Sequence, residues 1–232
     1  MMKNFRQELE ILHKRLASRT PFAFSKYADG EWTAMKGGVV NNGEFVSVPD
    51  ARLNLSRSLL IESFRYKHPS YYVGISCPCC QGEEFYNMKA ASEQDESNLT
   101  FANIFVNSNY PYYKESVVPE YSNWKVNLIA NEKSNIDSLP FKVERFFPIG
   151  VNAWYNNLGL IDQLKSLNTN GELYLFCAGP FGNILAHQLW KHNQNNTYLD
   201  VGSTLNPWLG FEGFKRGYLY GSDDCSKVCV WG

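Results

Sequence analysis

The sequence predicts an α/β fold with a Rossmann-like, mostly parallel central sheet and helices on both faces. Three observations carry that reading. Short runs of β-prone, apolar residues alternate along the chain with segments of helical periodicity. The intervals between these runs leave room for crossover connections, which parallel strands need. The runs end at Gly, Asn or Asp residues that break a strand and start a turn. The 232 residues contain neither an internal repeat nor a low-complexity linker, so one domain over 1–232 is expected.

Residues 3–17 read as an amphipathic helix, with Phe5, Leu9, Leu12 and Leu16 at helical spacing among Lys, Arg and Glu. That stripe needs a cover, either the sheet edge or a second subunit in a homodimer. Thr20-Pro21 ends the helix. Residues 22–27 then form a short buried strand that stops at Asp29-Gly30-Glu31. The Gly- and Asn-rich stretch 34–44 reads as a loop closing over a site or as a surface hairpin turning at Asn42-Gly43. Pro49-Asp50 opens a helix through about Tyr66, in which Arg52 and Arg57 are either solvated or within reach of a phosphate. Residues 71–75 are the second strand, and a helical tract from Glu83 is interrupted between Asn107 and Pro111. Asn103, Asn107 and Asn109 either line a pocket or simply serve that loop. Residues 124–130 and 143–149 are the third and fourth strands, and 153–167 is a helix with Trp154, Leu158, Ile161 and Leu164 on one side. The fifth strand is 172–176, a helix runs from Gly179 to about His192, and 197–201 is the sixth strand.

Composition narrows the function. Lys and Arg number 22 against 23 Asp and Glu, which argues against a chain that mainly binds nucleic acid. Aromatics make up 15%, which suits sugar-stacking surfaces and large cores alike. Residues 1–10 carry no apolar run of signal-peptide type, and no stretch approaches the length of a membrane span, so a cytoplasmic protein without a transmembrane segment is expected.

Ligands in sheets of this kind bind beyond the carboxyl ends of the strands. Asp29-Gly30-Glu31, Cys77, Asn131, Gly150, Ala178-Gly179 and Asp200 all fall at such ends and should share one rim. In an extended or turning backbone the carboxylates of Asp29 and Glu31 face one way and suit Mg²⁺ or Mn²⁺ held with a diphosphate; the plain alternative is a strand-ending turn. The turn Gly179-Pro180-Phe181-Gly182-Asn183 permits close backbone approach and opens a helix whose free N–H groups suit an anion. It equally serves tight strand-to-helix packing. Asp200 ends the next strand about twenty residues on, where a Rossmann protein places the acid for a ribose. Of the six cysteines, Cys77, Cys79 and Cys80 cluster, as do Cys225 and Cys229. They read as buried or incidental thiols, or as a structural Zn²⁺ site if the C-terminal segment folds back. Cys177 reads as a core residue. The four histidines are scattered and give no metal spacing and no triad.

Residues Ser25-Lys26-Tyr27-Ala28-Asp29-Gly30-Glu31 resemble the aromatic-Gly-Asp-Gly-Glu signature near the N-terminus of the GT-D-type glycosyltransferases, a bacterial family. Residues 173–186, with the Ala178-Gly179 turn and the helix start Gly182-Asn183-Ile184-Leu185-Ala186, resemble that family's second landmark. Tyr198-Leu199-Asp200-Val201-Gly202-Ser203 resembles the strand end that follows it. The motifs come in the family's order over most of the chain. Two positions depart: Lys26 stands where an Arg is common, which loses a bidentate fork, and Ala28 replaces a Gly.

The resemblance implies a GT-D-like fold and transfer of a sugar from a nucleotide-sugar donor to the hydroxyl of a glycan or glycoconjugate acceptor. It implies that Asp29 and Glu31 are catalytic and hold Mn²⁺ or Mg²⁺ with the donor. It further implies that Lys26, Gly30, Gly179, Pro180, Phe181, Gly182, Asn183 and Asp200 bind the donor. Two rival readings remain: a Rossmann-type enzyme using NAD or S-adenosylmethionine at the Gly179 turn and Asp200, and an inactive carbohydrate-binding protein. In either sugar reading the aromatic segment 206–214 stacks on an acceptor or simply covers the core.

Overall fold

The computed structural model describes residues 2–41, 45–211 and 227–232. Seven strands form one sheet: β1 (Ala23–Tyr27), β4 (Tyr71–Ile75), β5 (Leu99–Phe101), β6 (Val126–Asn131), β7 (Val143–Ile149), β8 (Leu173–Phe176) and β9 (Thr197–Asp200). Their order is β5-β4-β1-β9-β8-β6-β7, and each neighbouring pair is parallel. The remaining two strands, β2 (Val40–Asn41) and β3 (Val46–Ser47), pair antiparallel as a small ribbon. That ribbon favours the hairpin reading of 34–44; its expected Asn42-Gly43 turn lies outside the described residues.

The inner strands are buried on both faces, so their sequences are mostly apolar and do not alternate strictly. β7 is the exception. It is half exposed and carries Glu144, Arg145 and Pro148, as suits an edge strand. The other edge, β5, is only three residues long. Sequence periodicity missed it because three residues carry too little pattern, and the segment read as part of a helical tract. The tract is instead α4 (Pro78–Gln81) and α5 (Glu84–Ser92), ended by Glu93 in the left-handed region at φ 56°. The Asn98 side chain then donates to the carbonyls of His68 and Tyr71 at 2.8 and 3.0 Å, which sets β5 beside β4.

α1 (Phe5–Ala17) buries the four expected residues and packs beside β5, with Phe5 edge-on to Phe101 at 5.0 Å. The sheet edge therefore covers the stripe. α2 (Asp29–Met35) follows β1 directly, and α3 (Asn54–Arg65) follows a 3-10 turn capped by Asp50. Arg52 pairs with Asp50, Arg57 donates to the carbonyls of Ala34 and Val48, and neither lines the cleft at the carboxyl ends of the strands. Residues 107–123 form a chain of short helical turns, among them α6 (Tyr110–Tyr112) and α7 (Val118–Glu120). The expected helix over 153–167 is broken into α8 (Ala153–Asn156) and α9 (Leu160–Ser166) near Gly159, a poor helix former.

α10 (Pro180–His192) is the central helix. Ten of its 13 residues are buried, so its sequence is apolar nearly all round. The Asn183 side chain, fully buried, donates to Ser25 Oγ at 3.0 Å and to the Lys26 carbonyl at 2.5 Å. This bracket ties α10 to the end of β1. α11 (Asn206–Leu209) closes the described part of the domain before residues 227–232. Among the described residues no helix is long and apolar enough to cross a membrane.

Candidate active site

In the sheet order the chain runs outward from β1 through β4 to β5, and the later strands fill the other side. The reversal between β1 and β9 makes a crevice beyond their carboxyl ends, where ligands of such sheets bind. A cleft of about 420 Å³ lies there, a size suited to a nucleotide-sized molecule.

Five strand ends build it. β1 supplies Lys26 and then Ala28, Asp29, Gly30 and Glu31; β6 supplies Ala130, Asn131 and Ser134; β7 supplies Ile149, Gly150 and Val151; β8 supplies Cys177, Ala178, Gly179 and Pro180; β9 supplies Gly202 and Ser203. Asn103 lines it from just past β5. The rim expected from the sequence is therefore largely present, without Cys77 and Asp200. Asn107 and Asn109 face elsewhere: Asn109 donates to the carbonyls of Phe5 and Ile104, and Asn107 donates to Cys229 Sγ.

Asp29-Gly30-Glu31 is the first turn of α2, not an extended turn, because the chain goes helical at Asp29 immediately after β1. Residues two apart on a helix diverge, so the two carboxylates are not equivalent. Asp29 is exposed at the first helical position. Glu31 is only 6% exposed and accepts the Ala28 N–H at 3.0 Å. Both carboxylates sit where the helix dipole favours negative charge. Among the described residues no third carboxylate or histidine joins them. Two hard carboxylates on a cleft fit a Mg²⁺ or Mn²⁺ that completes its shell with substrate phosphate oxygens, and do not fit an all-protein cage.

Gly179 has φ 54° and leads into Pro180 at the first turn of α10. The helix therefore starts at the edge of the cleft, where its dipole favours an anion, although Pro180 has no N–H and Gly182 N–H donates to the Gly179 carbonyl at 2.9 Å. Phe181, Gly182 and Asn183 do not line the cleft; they form the wall behind it. Gly182 is packed so closely that an added Cβ would lie 3.2 Å from Phe176 Cβ and 3.3 Å from Asp200 Oδ1.

Asp200 is also behind the wall, 1% exposed. Its carboxylate accepts the Lys26 N–H at 3.4 Å and the Gly202 N–H at 3.2 Å. Burial pushes its carboxyl up to about 7; the Lys26 charge opposes this and the Glu31 charge adds to it. An acid so enclosed does not reach a ribose, which removes the residue that the NAD or S-adenosylmethionine reading needed. Gly202, at φ 54°, leaves room for Lys26: a Cβ there would lie 2.4 Å from Lys26 Cε.

The side wall was not legible in the sequence. Phe45, from the foot of the ribbon, meets Trp154 at 6.1 Å between ring centres. Trp154 Nε1 donates to the Val46 carbonyl at 3.2 Å, and Val46 N–H donates to Asn152 Oδ1 at 2.7 Å. These contacts join residues more than one hundred apart, and local pattern cannot report them. Ser134 Oγ lines the cleft, is covered from solvent and has no hydrogen-bond partner among the described residues. Of the aromatic segment, Asn206, Leu209 and Phe211 line the cleft, and 212–214 lie outside the described residues.

The cysteines form a separate group. Cys77, Cys79, Cys80 and Cys229 converge, Cys177 stands alone at the cleft, and Cys225 lies outside the described residues.

No family model matches the chain, and no curated protein does. Solved structures do share its fold. One, reported as the highly conserved domain of unknown function 1792 with a distinct glycosyltransferase fold, gives a TM-score of 0.61 at 13% identity, over 86% of this chain and 79% of that one. A glycosyltransferase of the same domain type from Streptococcus sanguinis gives 0.60 at 12% identity, over 87% and 83%. At these identities the likeness is one of fold.

Proposed function

We propose that this chain is a GT-D-type glycosyltransferase, moving a sugar from a nucleotide-sugar donor to an acceptor hydroxyl with the help of Mg²⁺ or Mn²⁺. The observation that carries the reading is the shared cleft: the Asp29-Glu31 turn, Lys26 and the Gly179-Pro180 start of α10 all line one cavity of about 420 Å³. Acidic groups and anion-binding groups in one cleft suit a ligand that brings both phosphate and a metal. The shared fold with glycosyltransferases supports it.

In this reading the donor diphosphate lies against the Ala178-Gly179 backbone at the positive end of the α10 dipole, and Lys26 adds positive charge beside it. Asp29 reaches the cleft without rearrangement because it is exposed. Glu31 holds the first turn of α2 in place through the Ala28 N–H and also lines the cleft. A divalent ion held by these two carboxylates neutralises the leaving nucleoside diphosphate. Phe45 and Trp154 offer an apolar wall for a base or a sugar ring. Ser134 Oγ and Asn131 offer polar contacts opposite it. Leu209 and Phe211 extend the wall towards the acceptor side. Phe181, Gly182, Asn183 and Asp200 act on the donor only through the wall they hold.

The test is a thermal-shift series with UDP-, GDP-, dTDP- and CMP-sugars, with and without Mn²⁺, on wild type and Asp29→Ala. A ligand at 100 times its dissociation constant adds about 2.7 kcal/mol of stability, which a melting curve detects. A metal-dependent rise with one nucleotide family is expected, lost in Asp29→Ala while the unliganded melting temperature holds. A flat response to all four donor classes, or a rise unaffected by Asp29→Ala, would sink the proposal.

A further inference from the structure

Four thiols from distant parts of the chain meet at one point. Cys77, Cys79 and Cys80 come from the start of α4, and Cys229 comes from the segment after residue 226. Their four sulfurs lie within 4.8 Å of one another, with Cys77 Sγ and Cys79 Sγ 3.0 Å apart. All four are free thiols. We propose that they bind one Zn²⁺ as a closed, structural four-cysteine site.

The geometry supports a single ion. Four sulfurs at a Zn–S length of about 2.3 Å on a tetrahedron stand about 3.8 Å apart. The group is already near that size, and it is too tight for an iron–sulfur cluster, whose cysteines bracket several atoms. The chemistry fits as well. Four soft thiolates in a tetrahedral set select Zn²⁺ over hard cations. Four ligands from the chain leave no open position, so the site is structural and separate from the cleft.

The surroundings are those of a thiolate centre and not of four incidental thiols. Asn107 Nδ2 donates to Cys229 Sγ and Asn103 Nδ2 donates to Cys80 Sγ, each at 3.4 Å. Such N–H···S contacts orient thiolate ligands and disperse their charge. Asn107 is held for this at φ 55°, in the left-handed region. The Lys227 ammonium reaches the Cys79 carbonyl at 3.3 Å and interacts with Cys80, offsetting part of the net negative charge of a four-thiolate zinc site. Cys77 and Cys229 are buried and Cys79 and Cys80 exposed, which leaves an approach for the ion.

The site does two things for the fold. It staples the 227–232 segment to α4, whose own four residues are too few to hold a helix alone. It also fixes Asn103, which lines the cleft, through Cys80.

The experiment is metal analysis of the full chain purified without chelator, with Co²⁺ exchange and two serine variants. One zinc per chain is expected, with Co²⁺ giving the visible and charge-transfer bands of a tetrahedral thiolate site. A strong chelator should lower the melting temperature and added Zn²⁺ restore it. Cys229→Ser should lose the metal and Cys225→Ser should keep it. The wild-type Co²⁺ spectrum decides the matter if Cys229→Ser fails to fold. Overturning results are a chain that neither contains zinc nor takes up Co²⁺, bound iron in place of zinc, or loss of the metal in Cys225→Ser. None of these readouts depends on sugar transfer, so the site and the proposed activity fail separately.

Discussion

Asp200 shows how one buried side chain sets both the shape of the cleft and the response of the fold to pH. Its carboxylate holds the Lys26 and Gly202 amides from behind the wall, and burial raises it to about 7. In the unfolded chain it titrates near 3.8. Between those values the folded protein holds the proton and the unfolded chain does not, so this group's stabilising contribution is complete below pH 4 and is lost as pH rises through 7. Asp200→Asn keeps an oxygen acceptor and cannot ionise. Its stability relative to wild type should therefore improve steadily from pH 4 to pH 7 and then level off. Urea denaturation of both proteins across that range checks this, and a constant gap would show that Asp200 is ionised throughout. At this scale the sequence was informative where chemistry is local. It brought Lys26, Asp29, Gly30, Glu31, Gly179 and Pro180 to the cleft. It placed Asp200 at the right strand end but could not see that Gly182 and the Lys26 and Gly202 amides would enclose it.

Among the elements, α10 carries the opposite pH response. His187 is fully buried on it, 4.7 Å from the Tyr66 ring and near Tyr71. Burial lowers it to about 4; Glu62 opposes that shift, and Lys191 and Lys165 add to it. A histidine held neutral in the fold stabilises fully above its unfolded value near 6.5, and that stability is lost as pH falls towards 4. The slopes from His187 and Asp200 therefore oppose each other between pH 4 and 6.5. Wild type should be nearly flat across this window as far as these two groups go, while His187→Gln should become less stable as pH rises through it. A His187→Gln profile parallel to wild type would refute the assignment. α10 itself was legible because apolar residues run all round it. The elements that were not legible are those too short to carry a period, β5 with three residues and the α8–α9 break at Gly159. β5 is specified by contacts, through Asn98, which donates to the His68 carbonyl on the turn before β4, and through Phe5 from α1.

The whole molecule depends on joining its two ends at that short edge strand. Trp231 is 1% exposed and packs edge-on against Phe85 of α5 and Phe101 of β5, at 5.2 and 5.0 Å. Its Nε1 donates to Glu96 Oε1 at 2.7 Å, and Lys3 from the other end of the chain lies 5.7 Å from its ring. Phe5 meets the same Phe101 from α1. Segment 227–232 is thus part of the core, held by Cys229 on one side of this contact and by Trp231 on the other. Periodicity is blind to such a segment: six residues with one Cys and one Trp give no pattern, and partners such as Asn107 and Glu96 lie 122 and 135 residues upstream. Replacing a buried tryptophan by alanine costs about 3–5 kcal/mol, from lost burial and the cavity left behind. Trp231→Ala should lower stability by that amount and loosen β5 and α5 first, since the ring that packs on both is gone. Hydrogen exchange should show this as lost amide protection in 84–92 and 99–101 with β8 and β9 unchanged. Chelation of the Zn²⁺ proposed for the four-cysteine site should loosen the same region more weakly, because Trp231 then still fills its pocket. Uniform loss of protection across the sheet in Trp231→Ala would mean that the edge and the centre unfold as one unit, and that the segment is a keystone of the whole domain and not a local clasp.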